Sequence, residues 1–180
     1  RVASKSYKLM ADLSISKCLY FSDGVEIDLN GHTITSTASY WSEYSNVAHT
    51  EVTFKNGNLV INNSIAYVWN ASQNEIVLNF NDVNIDATKA SAAFRTQPCK
   101  EEHWLTVNGG NFMTKGKLLS ADPTYAVGEN PSISHIVFNN ITATSDSYIL
   151  VSLYATYGND QIYAEFNSCH LTCKNTSGYV

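Results

Sequence analysis

The chain predicts an all-β solenoid, a single domain over residues 1–180 built from about six to seven stacked coils, and three observations carry that expectation. A short apolar alternation ending in asparagine recurs six times at nearly even spacing. Small polar residues are abundant: 19 Asn, 20 Ser and 15 Thr make up about 30% of the chain, and such side chains bond nearby backbone and favour turns over helix interiors. All three prolines, Pro98, Pro123 and Pro131, fall between the repeated segments, where none interrupts a strand ladder.

Composition narrows the function classes. With 44% hydrophobic residues and 15% charged, the chain has the apolar content of a folded domain and excludes disorder. The net charge is -5 and the only arginines are Arg1 and Arg95, so the basic footprint that a nucleic-acid partner demands is missing. No apolar run approaches the roughly eighteen residues of a membrane span. The start, Arg1-Val2-Ala3-Ser4, lacks both an initiator Met and a signal-type apolar stretch. Together with the abrupt end at Tyr179-Val180, this predicts a segment excised from a longer polypeptide.

The elements follow in order along the chain. Tyr7 to Ile15 opens it, ahead of the first repeat. The repeats proper are Val25-Glu26-Ile27-Asp28-Leu29-Asn30, Val52-Thr53-Phe54-Lys55-Asn56, Val77-Leu78-Asn79-Phe80-Asn81, Leu105-Thr106-Val107-Asn108, Ile136-Val137-Phe138-Asn139 and Ala164-Glu165-Phe166-Asn167. An apolar residue directly precedes Asn in five of them, and Lys55 intervenes in the second. Gly, Asp, Asn or Ser follows, each of which suits a turn. A second short piece comes next, as at Asn58 to Ile61, Val83 to Asp86 and Asn111 to Thr114. A third apolar strand is expected at Ile65 to Trp69, Ala92 to Arg95, Lys117 to Ala121 and Tyr148 to Tyr154. Three short strands per period of about 27 residues make one coil of a solenoid.

In these segments, and in the opening run from Tyr7 to Ile34, the sequence resembles the right-handed parallel β-helix of the pectate-lyase-like superfamily, over residues 7 to about 173. The resemblance implies a right-handed parallel β-helix solenoid with an asparagine ladder. It says little of activity, because one scaffold hosts many functions. Physics points the same way. A coil cannot bury its inward face alone, whereas coils stacked about 4.8 Å apart pair strands in parallel and share a core. Asn30, Asn56, Asn81, Asn108, Asn139 and Asn167 are expected to recur at one corner, each amide donating to the next carboxamide. A leucine-rich repeat would place two residues between its last strand Leu and its Asn, and a propeller blade would have a longer period with hairpin turns.

The chemistry-bearing residues are sparse. Glu26 and Asp28 share one strand face and Glu165 stands at the comparable place in the last coil, but Thr53, Asn79, Thr106 and Val137 between them form no column of acids. The resemblance implies that lyases of this superfamily use calcium with a basic residue and that hydrolases carry short Asp-containing motifs; Arg95 is the only interior arginine, and the Asn-Thr-Asp and Gly-His-Gly runs do not occur. His32, His49, His103, His135 and His170 lack metal-ligand spacing and read as surface residues, so no metal or cofactor is expected. Cys18, Cys99, Cys169 and Cys173 form no zinc pattern; Cys169 and Cys173 can pair across a turn or stay as small buried thiols. The sequons at Asn62, Asn70, Asn140 and Asn175 match the number expected by chance in so Asn-rich a chain.

Aromatic residues in the connections are more suggestive. Tyr40, Trp41 and Tyr44 cluster in one and Trp69 in the next, while Trp104, Tyr125, Tyr154 and Tyr157 lie in or beside others. Tyr and Trp faces stack on sugar rings. The functional expectation is a non-catalytic extracellular or cell-surface domain, adhesin-like or a stalk, that binds glycans weakly through Tyr40, Trp41, Tyr44 and Trp69. A polysaccharide lyase or glycoside hydrolase fragment, and a phage tail-spike segment, are the alternative readings.

Overall fold

A computed structural model describes residues 5–38, 42–44, 49–65, 75–96, 102–121, 133–147, 150–154 and 161–175, with the backbone alone at 42–44. Strands are the only regular element among them. In chain order, the first rung holds β1 (Lys5–Lys8), β2 (Leu13–Ile15) and β3 (Leu19–Phe21), and the second β4 (Val25–Asp28), β5 (Thr33–Ser36) and β6 (Ser42–Tyr44). β7 (His49–Ile61) forms the third, and β8 (Glu75–Ala87) with β9 (Ala92–Thr96) the fourth. The fifth is β10 (Glu102–Asn108), β11 (Asn111–Thr114) and β12 (Lys117–Ala121). The sixth is β13 (Ile133–Asn139), β14 (Thr142–Ser145) and β15 (Val151–Leu153), and the last is β16 (Gln161–Asn167) with β17 (His170–Cys173).

Every strand pairing is parallel, and the first face runs β1-β4-β7-β8-β10-β13-β16. This is a parallel β-solenoid. The third face is less continuous: β9, β12 and β15 pair with one another, Ile65 bridges to Phe94, and β3 with β6 forms a separate pair. About four turns therefore close on all three sides, which corrects the six to seven complete coils expected from the period.

The corner between the first and second faces shows how sequence makes the turn. In β8, Ile76, Leu78 and Phe80 are buried, and after Asp82 the buried set becomes Val83, Ile85 and Ala87. One residue in the left-handed conformation resets the alternation and bends the chain. The same conformation recurs at Asn30 (φ 52°), Asn56 (φ 58°), Asp82 (φ 54°), Asn140 (φ 55°) and Ser168 (φ 54°); Asn and Asp, four of the five, tolerate it better than most. The fifth rung uses Gly109 (φ 71°) and Gly110 (φ 94°) instead, and a Cβ on Gly110 would collide with the Val83 carbonyl.

Inward residues stack in register as Ile27, Phe54, Phe80, Val107, Phe138 and Phe166. Phe54 lies flat on Phe80 at 5.4 Å and Phe138 on Phe166 at 5.1 Å. Val107 is too small to fill its place in this column. Phe94 crosses from β9 to fill it, 5.3 Å from Phe80 and 5.7 Å from Phe138. Each such buried ring contributes about 1.5–3 kcal/mol, so the aromatic column is the main apolar stabiliser of the stack.

The asparagine ladder is shorter than the period implies. Asn108 Nδ2 donates to Asn81 Oδ1 (2.8 Å), Asn139 to Asn108 (2.8 Å) and Asn167 to Asn139 (3.0 Å). The first three are part-buried rather than fully inward, and Asn167 is exposed. Asn30 and Asn56 do not join them. They are the left-handed corner residues themselves, Asn30 two places and Asn56 one place further along, because Asp28 and Lys55 occupy the ladder position in register with Asn81. A second ladder, not anticipated from the repeat, flanks the corner: Asn84 Nδ2 donates to Asn58 Oδ1 (3.0 Å), and Asn111 donates to Asn84 Oδ1 from its backbone N–H (2.9 Å) and its amide (3.1 Å).

Candidate functional site

Outward residues of the first face form the broadest regular surface described. Four places before each ladder asparagine the column reads Val77, Trp104, His135 and Tyr163, and Glu51 continues it on the third rung. Parallel pairing forces these side chains to stack. The Trp104 and His135 rings lie 3.8 Å apart at 9°, and His135 and Tyr163 5.2 Å apart at 11°. His135 Nε2 is 3.5 Å from Glu102 Oε2, and the Tyr163 hydroxyl donates to Gln161 Oε1 at 2.6 Å.

One ring face in this stack differs from the rest. His135 covers one face of Trp104, whereas the rung on the other side carries Val77, whose side chain is far shorter than an indole. The outer part of the ring therefore overlooks a notch floored by Val77, and Trp104 is 36% exposed. Glu51 stands across the notch and accepts from Asn79 Nδ2 (3.2 Å). Glu75 lies two places before Val77, with His49 Nδ1 2.8 Å from its Oε2, and the other nitrogen of that ring is 3.8 Å from Asp23.

The acids expected to matter are placed differently. Glu26 and Asp28 do share the outer face of β4. Lys55 Nζ reaches Glu26 Oε1 at 2.8 Å, and that bond raises the lysine pKa, so the ammonium does not act as a general base near neutral pH. Asp28 is held below the usual carboxylate range, first by the Asn30 backbone N–H (2.9 Å) and then by the Asn56 amide (3.2 Å), so it does not act as a general acid there. Glu165 lies five rungs from Glu26, about 24 Å along the axis at ~4.8 Å per rung. Glycosidase carboxylates stand roughly 5–9.5 Å apart, so these two are no such pair. Arg95 is on β9, a different face from both.

Of the expected ligand residues, Tyr40, Trp41 and Trp69 lie outside the described residues, and Tyr44 is placed in β6 by its backbone alone. Among the histidines, His103 is buried, 5% exposed, at an inward position of β10, and corrects the expectation of a surface residue. Cys18, Cys169 and Cys173 are free thiols, and Cys99 lies outside the described residues. Among the described residues, no group of three or more His, Cys, Asp or Glu is placed to hold a metal ion, and no helix is long and apolar enough to cross a membrane.

His135 and Tyr163 escaped the sequence reading although a signal existed. Both stand four residues before a ladder asparagine, as Trp104 does, and alignment on that asparagine puts all three in one column. Comparisons with protein-family models, curated proteins and solved structures return no match.

Proposed function

We propose that this chain is a pectate-lyase-like, right-handed β-helix domain that works outside the cell or at its surface as a non-catalytic platform for weak glycan binding. The observation that supports the reading is the open face of Trp104 above Val77. A flat indole beside a one-rung step offers a sugar ring an apolar face to stack on, and Asn79, Thr53 and Glu51 around it supply hydroxyl partners. Such a shallow site holds one or two sugars and gives weak affinity. The paired state of Lys55 and Glu26 supports binding rather than cleavage.

Two substitutions test it from opposite directions. Trp104→Ala removes the stacking face, and Val77→Tyr extends the aromatic column to cover that face without deleting a contact. In calorimetric titrations with neutral and charged oligosaccharides, binding by the wild type and its loss in both variants is expected, with no new reducing ends released. Unchanged binding in Val77→Tyr, or no binding of any glycan by the wild type, would overturn the reading.

A further inference from the structure

We infer that the notch beside Trp104 selects sugars carrying a protonated amino group; this rests on the glycan-binding reading. Three carboxylates surround the floor residue Val77. Glu51 is its register partner on β7, Glu75 is two places earlier on β8, and Glu102 is two places before Trp104 on β10. At about 4.8 Å per rung and ~3.3 Å per residue, all three backbones lie within roughly 8 Å of Val77. Their side chains share the outer face with the open indole.

The neighbouring cationic groups leave this field negative. Among the described residues, Lys55 is the nearest lysine on the outer face, two rows over, and it is bound to Glu26. Each imidazole at hand sits against carboxylate, His49 between Glu75 and Asp23 and His135 on Glu102. Glu51 has only the neutral amide of Asn79. An ammonium group in the notch would meet the negative π face of Trp104 on one side and Glu51 and Glu75 on the others, a combination that attracts cations by both cation–π and charge-assisted hydrogen bonding. A uronate carboxylate there would face three like charges, and the lysine nearest to it on the described outer face is already bound to Glu26. The expected ligand is thus an amino-sugar oligomer, not a polyuronate.

The test compares three oligosaccharides on the intact chain at pH 6 and low salt: β-linked glucosamine oligomer, its fully N-acetylated counterpart, and oligogalacturonate. The free-amine oligomer is expected to bind on the order of tenfold more tightly than the acetylated one, and galacturonate not to bind. Added salt should shrink the difference as it screens the carboxylates. Glu51→Gln should narrow the ratio several-fold, whereas Glu165→Gln, three rungs from the notch, should leave it intact. Equal binding of amine and acetylated forms, binding of galacturonate, or an equal response to Glu51→Gln and Glu165→Gln would overturn the amine selectivity while leaving glycan binding in place. Failure of all three sugars would instead remove glycan binding and the selectivity with it.

Discussion

The corner between the first two faces is built in two ways within one molecule. In the last four rungs its outward place holds Asn81, Asn108, Asn139 and Asn167, joined by amide bonds of 2.8–3.0 Å. In the two rungs before them the same place holds Asp28 and Lys55, held by the Asn30 N–H, the Asn56 amide and Glu26. An amide donates and accepts at once, so one residue type repeats without limit and the bonds do not titrate. A charge needs a different residue as its partner, and its strength depends on pH. The backbone turn does not follow this division: a single left-handed residue makes it at Asn56, Asp82, Asn140 and Ser168 and a left-handed pair at Asn30–Gly31 and Gly109–Gly110, so each region contains both forms, whatever bridges the rungs.

If the corners differ but the core is shared, truncating the core should cost the same in either region. Phe54→Ala and Phe138→Ala each remove a ring less than 2% exposed and stacked on a neighbour, and each should cost about 3–5 kcal/mol, read as the shift of a denaturation midpoint. A loss confined to one of them would mean that the two regions unfold separately. Next in size is Asn108→Ala, which cuts the ladder where the side chain both donates and accepts. The cost should be about 1–3 kcal/mol, at the lower end because the site is part-buried, and it should not change between pH 4 and 9.

How legible the corner was depends on which of its two roles is considered. The period, the three strands per turn and the core phenylalanines stand in the sequence because burial imposes alternation and stacking imposes repetition. The ladder assignment failed for Asn30 and Asn56 because positions one or two places apart favour the same residue for different reasons, one for its amide and one for its tolerance of positive φ. Lys55, directly before Asn56, was the visible sign of that shift. The outer column was hidden for another reason: Trp, His and Tyr share no chemistry that marks them as a set, and only register unites them. His103 was misplaced because its inward position follows from the same register and not from its polarity.

The charged corner should respond to pH where the amide corner does not. Asp28 has a lowered folded pKa, so its stabilisation is fully present above the ordinary carboxylate pKa and is lost as pH falls through the folded value. Lys55 has a raised one, so its contribution is present below the ordinary lysine pKa and is lost as pH rises through the folded value. Melting temperature followed against pH should therefore show an acid-side decline that Asp28→Asn reduces and Asn139→Ala does not. An identical acid-side profile in Asp28→Asn would show that other carboxylates govern it.

The smallest effect is the most direct test of equivalence. Lys55→Asn would place an amide in register between Asp28 and Asn81, where the Asn81 Nδ2 can donate to it and its own Nδ2 can donate towards Asp28, lengthening the ladder by one rung. The substitution also removes the bond to Glu26, but both partners are about one-third exposed, and ion pairs of that kind contribute little. The two changes oppose each other. The melting temperature should stay within about 2 °C of the wild type at neutral pH, and the alkaline-side decline due to Lys55 should disappear. A marked drop at neutral pH would mean that the amide does not substitute for charge here, and that the second and third rungs are tied together by the Lys55–Glu26 bond in a way the ladder cannot reproduce.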